Sequence, residues 1–164
     1  MVRKAWIQAV LAVLLAAAVP PVQGARAGEG RQVPPGVVAP LLDWVGRHTG
    51  RPGLVPPVVI ASRQALLRLD RAAQLAGTDE RLRAAYVPGV VILDSDTWSP
   101  ADPVELSYLV HELVHHAQQL AGRGGDCRGR REEEAYRLQN LWLAERGLPP
   151  EHDPAWIARA ADLC

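Results

Sequence analysis

Residues 102–122 read DPVELSYLVHELVHHAQQLAG, and they restrict the fold more than any other stretch of the chain. Asp102 can cap a helix, Pro103 suits its first turn, and Glu105 stands at the capping-box position. Gly122 supplies the stop. Between these signals Leu106, Leu109, Val110, Leu113, Ala117 and Leu120 recur at helical spacing, which predicts one amphipathic helix over 103–120. His111 and His115 point away from that stripe, onto a face shared with Val104, Ser107, Tyr108, Val114 and Gln118. That face is mixed, neither plainly apolar nor plainly solvated. Yet it lies on a segment that leucine and alanine alone could have built.

His111-Glu112-Leu113-Val114-His115 has the pattern HExxH. Spacing i, i+4 places both imidazoles on one helix face, close enough to share a metal ion. Zinc suits two nitrogen ligands, accepts tetrahedral coordination and is stable to redox change outside the cell. Glu112 reaches a water on that ion more easily than the ion itself, the place of a general base. From the chain's own usage the pattern arises by chance in about one such sequence in a hundred. If the histidine face is covered, two unpartnered imidazoles are costly to desolvate, and a metal removes that cost. His116 diverges from His115 by about 100° and is expected off the metal axis, beside the site or on the surface.

A zinc held by two histidines needs a third protein ligand. HExxHxxGxxH would require histidine where Ala121 stands, so that scheme is excluded. Asp126 lies in a glycine-rich loop without supporting residues. The remaining source is Glu132-Glu133-Glu134, opening a second helix expected over Arg131–Arg146. The apolar stripe of that helix runs through Ala135, Leu138, Leu141 and Trp142, flanked by Glu132 on one side and Glu134 on the other. Glu133 points most nearly outward. Helical geometry leaves Glu132 and Glu134 both open.

The remaining chain sets the context. Arg3 and Lys4, the apolar run Ala5–Val19 and the small-residue site Ala25-Arg26-Ala27 form the three parts of a secretory signal peptide over residues 1–27. The run is shorter than the roughly 20 residues that span a bilayer, which disfavours an uncleaved anchor and any stable membrane association after cleavage. The 164 residues carry 18 basic and 18 acidic groups without a basic block, so nucleic acid has no support as a partner. In an exported chain the pair Cys127 and Cys164 is expected to form a disulfide, contributing roughly 3–4 kcal/mol. Cys127 as a metal thiolate is the alternative.

Gly28–Pro40 reads as an extended leader, and residues 41–164 as one α+β domain. Leu41–His48 predicts a short helix with Leu41, Leu42 and Val45 inward. Val55–Ala61 predicts a strand whose prolines suit a sheet edge. Ser62 caps a helix running to Leu75. Ala85–Asp94 predicts two strands around a Pro88-Gly89 turn. Residues 122–130 predict a mobile loop, and Asp153-Pro154 opens a last short helix.

HELVHHAQQ at 111–119 and Glu132-Glu133-Glu134-Ala135 resemble the gluzincin branch of zincin-like metallopeptidases, in which an HExxH helix is followed by a helix carrying a glutamate ligand, often as E-x-E-A. The resemblance covers about residues 85–146. It implies a zincin-like minimal metallopeptidase domain, zinc on His111, His115 and Glu132 with Glu134 as the alternative ligand, and Glu112 as general base. It also implies a peptide or protein substrate laid against the edge of the strands before the helix. Tyr136 stands where the family often has aspartate, leaving one histidine without its usual partner. Tyr136, His152 and Tyr108 are candidate donors to a carbonyl oxygen, and Trp98 and Trp142 are expected in the core. An exported zinc metallopeptidase is the reading these residues support. A zinc-binding module without turnover is the other class.

Overall fold

The computed structural model describes residues 30–69, 82–160 and 164. The expected signal segment, residues 1–27, and the end of the helix expected to run to Leu75 lie outside the described residues. The fold is a small α+β domain with three strands and, among the described residues, five helices: α1 (Pro35–Thr49), β1 (Val58–Ala61), α2 (Arg63–Leu69), β2 (Ala84–Val87), β3 (Val90–Asp94), α3 (Pro103–Leu120), α4 (Arg128–Ala144) and α5 (Pro154–Ala160). None of these helices is long and apolar enough to cross a membrane.

The sheet has the order β1-β3-β2. β1 runs parallel to β3, with Val58 opposite Val91, and β2 runs antiparallel to it, with Ala84 opposite Leu93. The hairpin forms where Pro88-Gly89 predicts it. Proline presets φ at the first turn position, and Gly89 takes the positive φ of 89° that the second requires. The proline-preceded β1 is an end strand, as expected. Its outer side is covered by residues 30–33, through Val33 N–H to Val58 O at 2.8 Å and Ile60 N–H to Arg31 O at 2.9 Å.

That pairing leads directly into α1, which corrects the extended leader expected over Gly28–Pro40. Pro35 opens the helix, where a missing N–H costs nothing, and Pro40 lies inside it. Burial of Val38, Leu41, Leu42, Trp44 and Val45 outweighs the hydrogen bond lost at Pro40.

α3 lies at the centre, packed against α1, α4 and the β2–β3 hairpin. Asp102 caps it as expected, accepting from Val104 N–H at 2.8 Å. Glu105 does not close a capping box. It is buried, bound by the Arg83 guanidinium and by the Thr97 hydroxyl at 3.1 Å. Leu109, Val110, Leu113 and Ala117 enter the core, but Leu120, at the last turn, is 54% exposed. The opposite face is covered too: Ser107, Val114 and Gln118 are fully buried, and His111 and Glu112 nearly so.

Residues 122–130 are more ordered in structure than a loop reading implies. Arg123–Gly125 form a 3₁₀ turn, Arg123 pairs with Asp126 at 2.7 Å, and α4 begins at Arg128, three residues early. The residue before α4 is Cys127, joined to Cys164 with Cα atoms 5.7 Å apart. The expected disulfide is present, so Cys127 is not a thiolate ligand. Of the stripe expected on α4, Ala135, Leu138 and Trp142 are buried, while Leu141 is only partly so.

Candidate metal centre

α3 and α4 bring three donor atoms together. Nε2 of His111 lies 3.1 Å from Nε2 of His115, and Glu132 Oε2 is 3.3 Å from each. An ion with tetrahedral ligands at 2.0–2.1 Å separates those ligands by about 3.3 Å, so the triangle has the size of a zinc site. His111, His115 and Glu132 are also the one group of this kind among the described residues. The imidazoles keep 8% and 11% of their side-chain surface and the carboxylate 24%, so the centre opens to solvent on the Glu132 side.

Hydrogen bonding fixes which nitrogens carry protons. Gln118 donates its amide hydrogens to Arg131 O at 3.0 Å and Glu134 Oε2 at 3.1 Å, so its Oε1 faces His115 Nδ1 at 2.9 Å. Gln139 donates to Ser107 Oγ at 3.1 Å, whose own proton goes to Val104 O at 2.7 Å. Its Oε1 therefore faces His111 Nδ1 at 3.2 Å. Both Nδ1 atoms must donate, so the neutral form of each ring has its lone pair on Nε2. Two lone pairs and an anionic oxygen then point at one another, an arrangement that repels unless a cation or a proton stands between them.

The electrostatics agree. Burial alone would lower the pKa of His115, but the Glu132 carboxylate, together with Glu112, pushes it up to about 9. Burial would raise Glu132, but the two imidazoles hold it below the usual carboxylate range. Glu112 is buried and close enough for its charge to be felt at His115. Arg128 Nε is 3.6 Å from the outer oxygen of Glu132.

The other candidates fall elsewhere. Glu134 is ion-paired with Arg51 at 3.0 Å and Arg123 at 2.8 Å, and Asp126 is held by Arg123. Tyr136 packs its ring on His111, centroids 4.5 Å apart, and His152 packs at a tilt against Tyr136 at 4.3 Å. Asn140 holds that segment through the 151 and 152 backbone N–H groups and His152 O. Tyr108 gives its hydroxyl to Glu151, and burial with that carboxylate raises its pKa. Trp142 is in the core and Trp98 packs against it. His116 is buried, bridging Leu54 O at 2.9 Å and the Tyr86 hydroxyl at 3.2 Å.

Sequence reading missed Gln118 and Gln139, the partners of the two histidines. A signal existed for both. Gln139 interrupts the apolar stripe of α4 two turns after Glu132, and Gln118 lies one turn after His115. No curated protein and no solved structure matches the chain. Residues 31–162 match the family described as "Domain of unknown function (DUF6647)", and the chain belongs to that family.

Proposed function

We propose that the protein is an exported zinc-dependent metallopeptidase of the zincin-like, gluzincin type, with zinc on His111, His115 and Glu132. One observation carries the reading: two imidazole lone pairs and a carboxylate oxygen converge at 3.1–3.3 Å with both Nδ1 protons already committed. The succession of a small sheet, the HExxH helix and the glutamate helix supports the fold assignment. The disulfide fits an oxidising compartment, as does the signal-like N-terminus.

Zinc, when bound, polarises a carbonyl and lowers the pKa of a water to about 7. The chain's own residues supply the rest. Glu112 takes the proton from the attacking water and delivers it to the departing amine nitrogen. Tyr136 packs against the His111 ring and limits its rotation, while the two glutamines fix both imidazole tautomers. A substrate peptide would lie along β2, an end strand of the sheet that packs against α3.

The test is Glu112→Gln. Zinc content stays at the wild-type level while hydrolysis of a broad peptide library falls by roughly 10²–10⁴-fold. Equal zinc uptake with no cleavage by either protein identifies a binding module without turnover instead.

A further inference from the structure

Gln118 and Gln139 come from different helices, both are fully buried, and both make the same contact, a carboxamide oxygen on Nδ1 of one histidine. Neither carboxamide can turn over without loss. A flipped Gln118 would set its oxygen against the Arg131 carbonyl and the Glu134 carboxylate, both acceptors. A flipped Gln139 would draw the Ser107 proton away from Val104 O and lose that hydrogen bond. Each glutamine therefore presents only an acceptor to its histidine.

We propose that Gln139 and Gln118 are the positioning residues of the metal centre, locking His111 and His115 in the tautomer that turns both Nε2 lone pairs toward the ion. This rests on the metal reading above and deepens it. The site is assembled before a metal arrives, because every orienting bond is within the protein. Glu134 acts one step further out. Fixed by Arg51 and Arg123, it holds the amide of Gln118 and so the ring of His115.

The choice of carboxamides has a consequence for the ion. An imidazole that donates to a carboxylate becomes a stronger metal ligand than one that donates to a neutral oxygen. Two neutral partners keep the histidines weaker donors and leave the ion more electron-poor. Position 139 can accept a carboxylate, since the Ser107 proton can turn from Val104 O to meet it. Position 118 cannot, because Arg131 O and Glu134 already crowd it with acceptors.

The experiment measures zinc affinity by competition with a chromophoric chelator, together with the downfield NMR resonance of the hydrogen-bonded Nδ1 proton of His111. Gln139→Met keeps the volume and removes the acceptor. It weakens zinc binding by roughly 10–100-fold and abolishes the protected proton. Gln139→Glu restores the acceptor, returns affinity to the wild-type level or tighter, and moves the proton further downfield. Affinity for Gln139→Met within twofold of wild type overturns the proposal, and so does Gln139→Glu binding as weakly as Gln139→Met. If Gln139→Met does not fold, Ser107→Ala takes its place. That change frees the carboxamide without touching a histidine, and unchanged affinity together with an unchanged proton signal overturns the proposal. A wild-type protein that takes up no zinc defeats the metal reading alone, because the proton signal still reports whether the glutamines hold the rings.

Discussion

His115 and His116 are neighbours on α3, both shielded from water, and their nitrogens are satisfied in opposite ways. His116 donates from Nε2 to the Leu54 carbonyl and accepts at Nδ1 from the Tyr86 hydroxyl, whose oxygen in turn receives the Gly89 N–H at 2.9 Å. Every donor in this chain of contacts meets an acceptor. His115 commits its Nδ1 proton to Gln118 and turns Nε2 toward the Nε2 of His111 and a carboxylate, a contact that needs a proton or a cation between them. Residue type is the same and the burial is similar, with His115 slightly more open. The direction of the hydrogen bonds separates a structural histidine from a candidate ligand.

The largest effect tests that separation. At free zinc a hundredfold above its Kd, the wild type gains about 2.7 kcal/mol of unfolding free energy, and a chelator removes it. His115→Ala abolishes the gain. His116→Ala keeps it but lowers the stability of the metal-free protein by roughly 2–4 kcal/mol, because a buried ring is lost and the Leu54 carbonyl loses its donor. Denaturant melts with zinc and with chelator measure both. A zinc gain that survives in His115→Ala, or disappears in His116→Ala, breaks the comparison.

Glu132 and Glu134 repeat the contrast on α4. They are two residues apart, one facing two imidazoles and the other two guanidiniums. Glu132→Gln is expected to weaken zinc by more than the 10–100-fold typical of an outer partner. Glu134→Gln keeps affinity within about tenfold of wild type, acting only through Gln118, and costs about 0–1 kcal/mol from its partly exposed ion pairs. Competition titrations of both variants decide it. Equal losses would mean that the two carboxylates share the ion.

What was legible in the sequence was local. The capped start of α3, the Pro88-Gly89 hairpin and the i, i+4 histidines each depend on residues within one or two turns of each other, and they lie where the sequence places them. What was not legible depends on which elements meet. Helical geometry alone left Glu132 and Glu134 open; what tells them apart is that Arg51 and Arg123, arriving from other parts of the chain, pair with Glu134, while Glu132 faces the two imidazoles. Glu105 left its capping box for Arg83 on the far side of the hairpin. Pro35 and Pro40 read as breakers until α1 is seen burying Val38 and Leu42 beneath them.

A fourth histidine sharpens the comparison with the smallest effect. His152 lies outside the metal triangle. It stacks on Trp156 and meets the Tyr136 ring at a tilt. Burial, with the nearby His111, lowers its pKa, while Glu151 opposes the shift weakly. A histidine with a depressed folded-state pKa stays neutral in the native protein while the unfolded chain takes up a proton near pH 6.5. Stability is therefore lost as pH falls below about 6.5, over a window set by the size of the depression. His152→Gln has no such proton to bind. The difference between the denaturant midpoints of the two proteins should change between pH 7.5 and pH 5.5, with wild type losing more. The comparison cancels the pH dependence that the two proteins share. A difference that stays constant with pH would mean that the stack leaves His152 as easily protonated as a histidine in water.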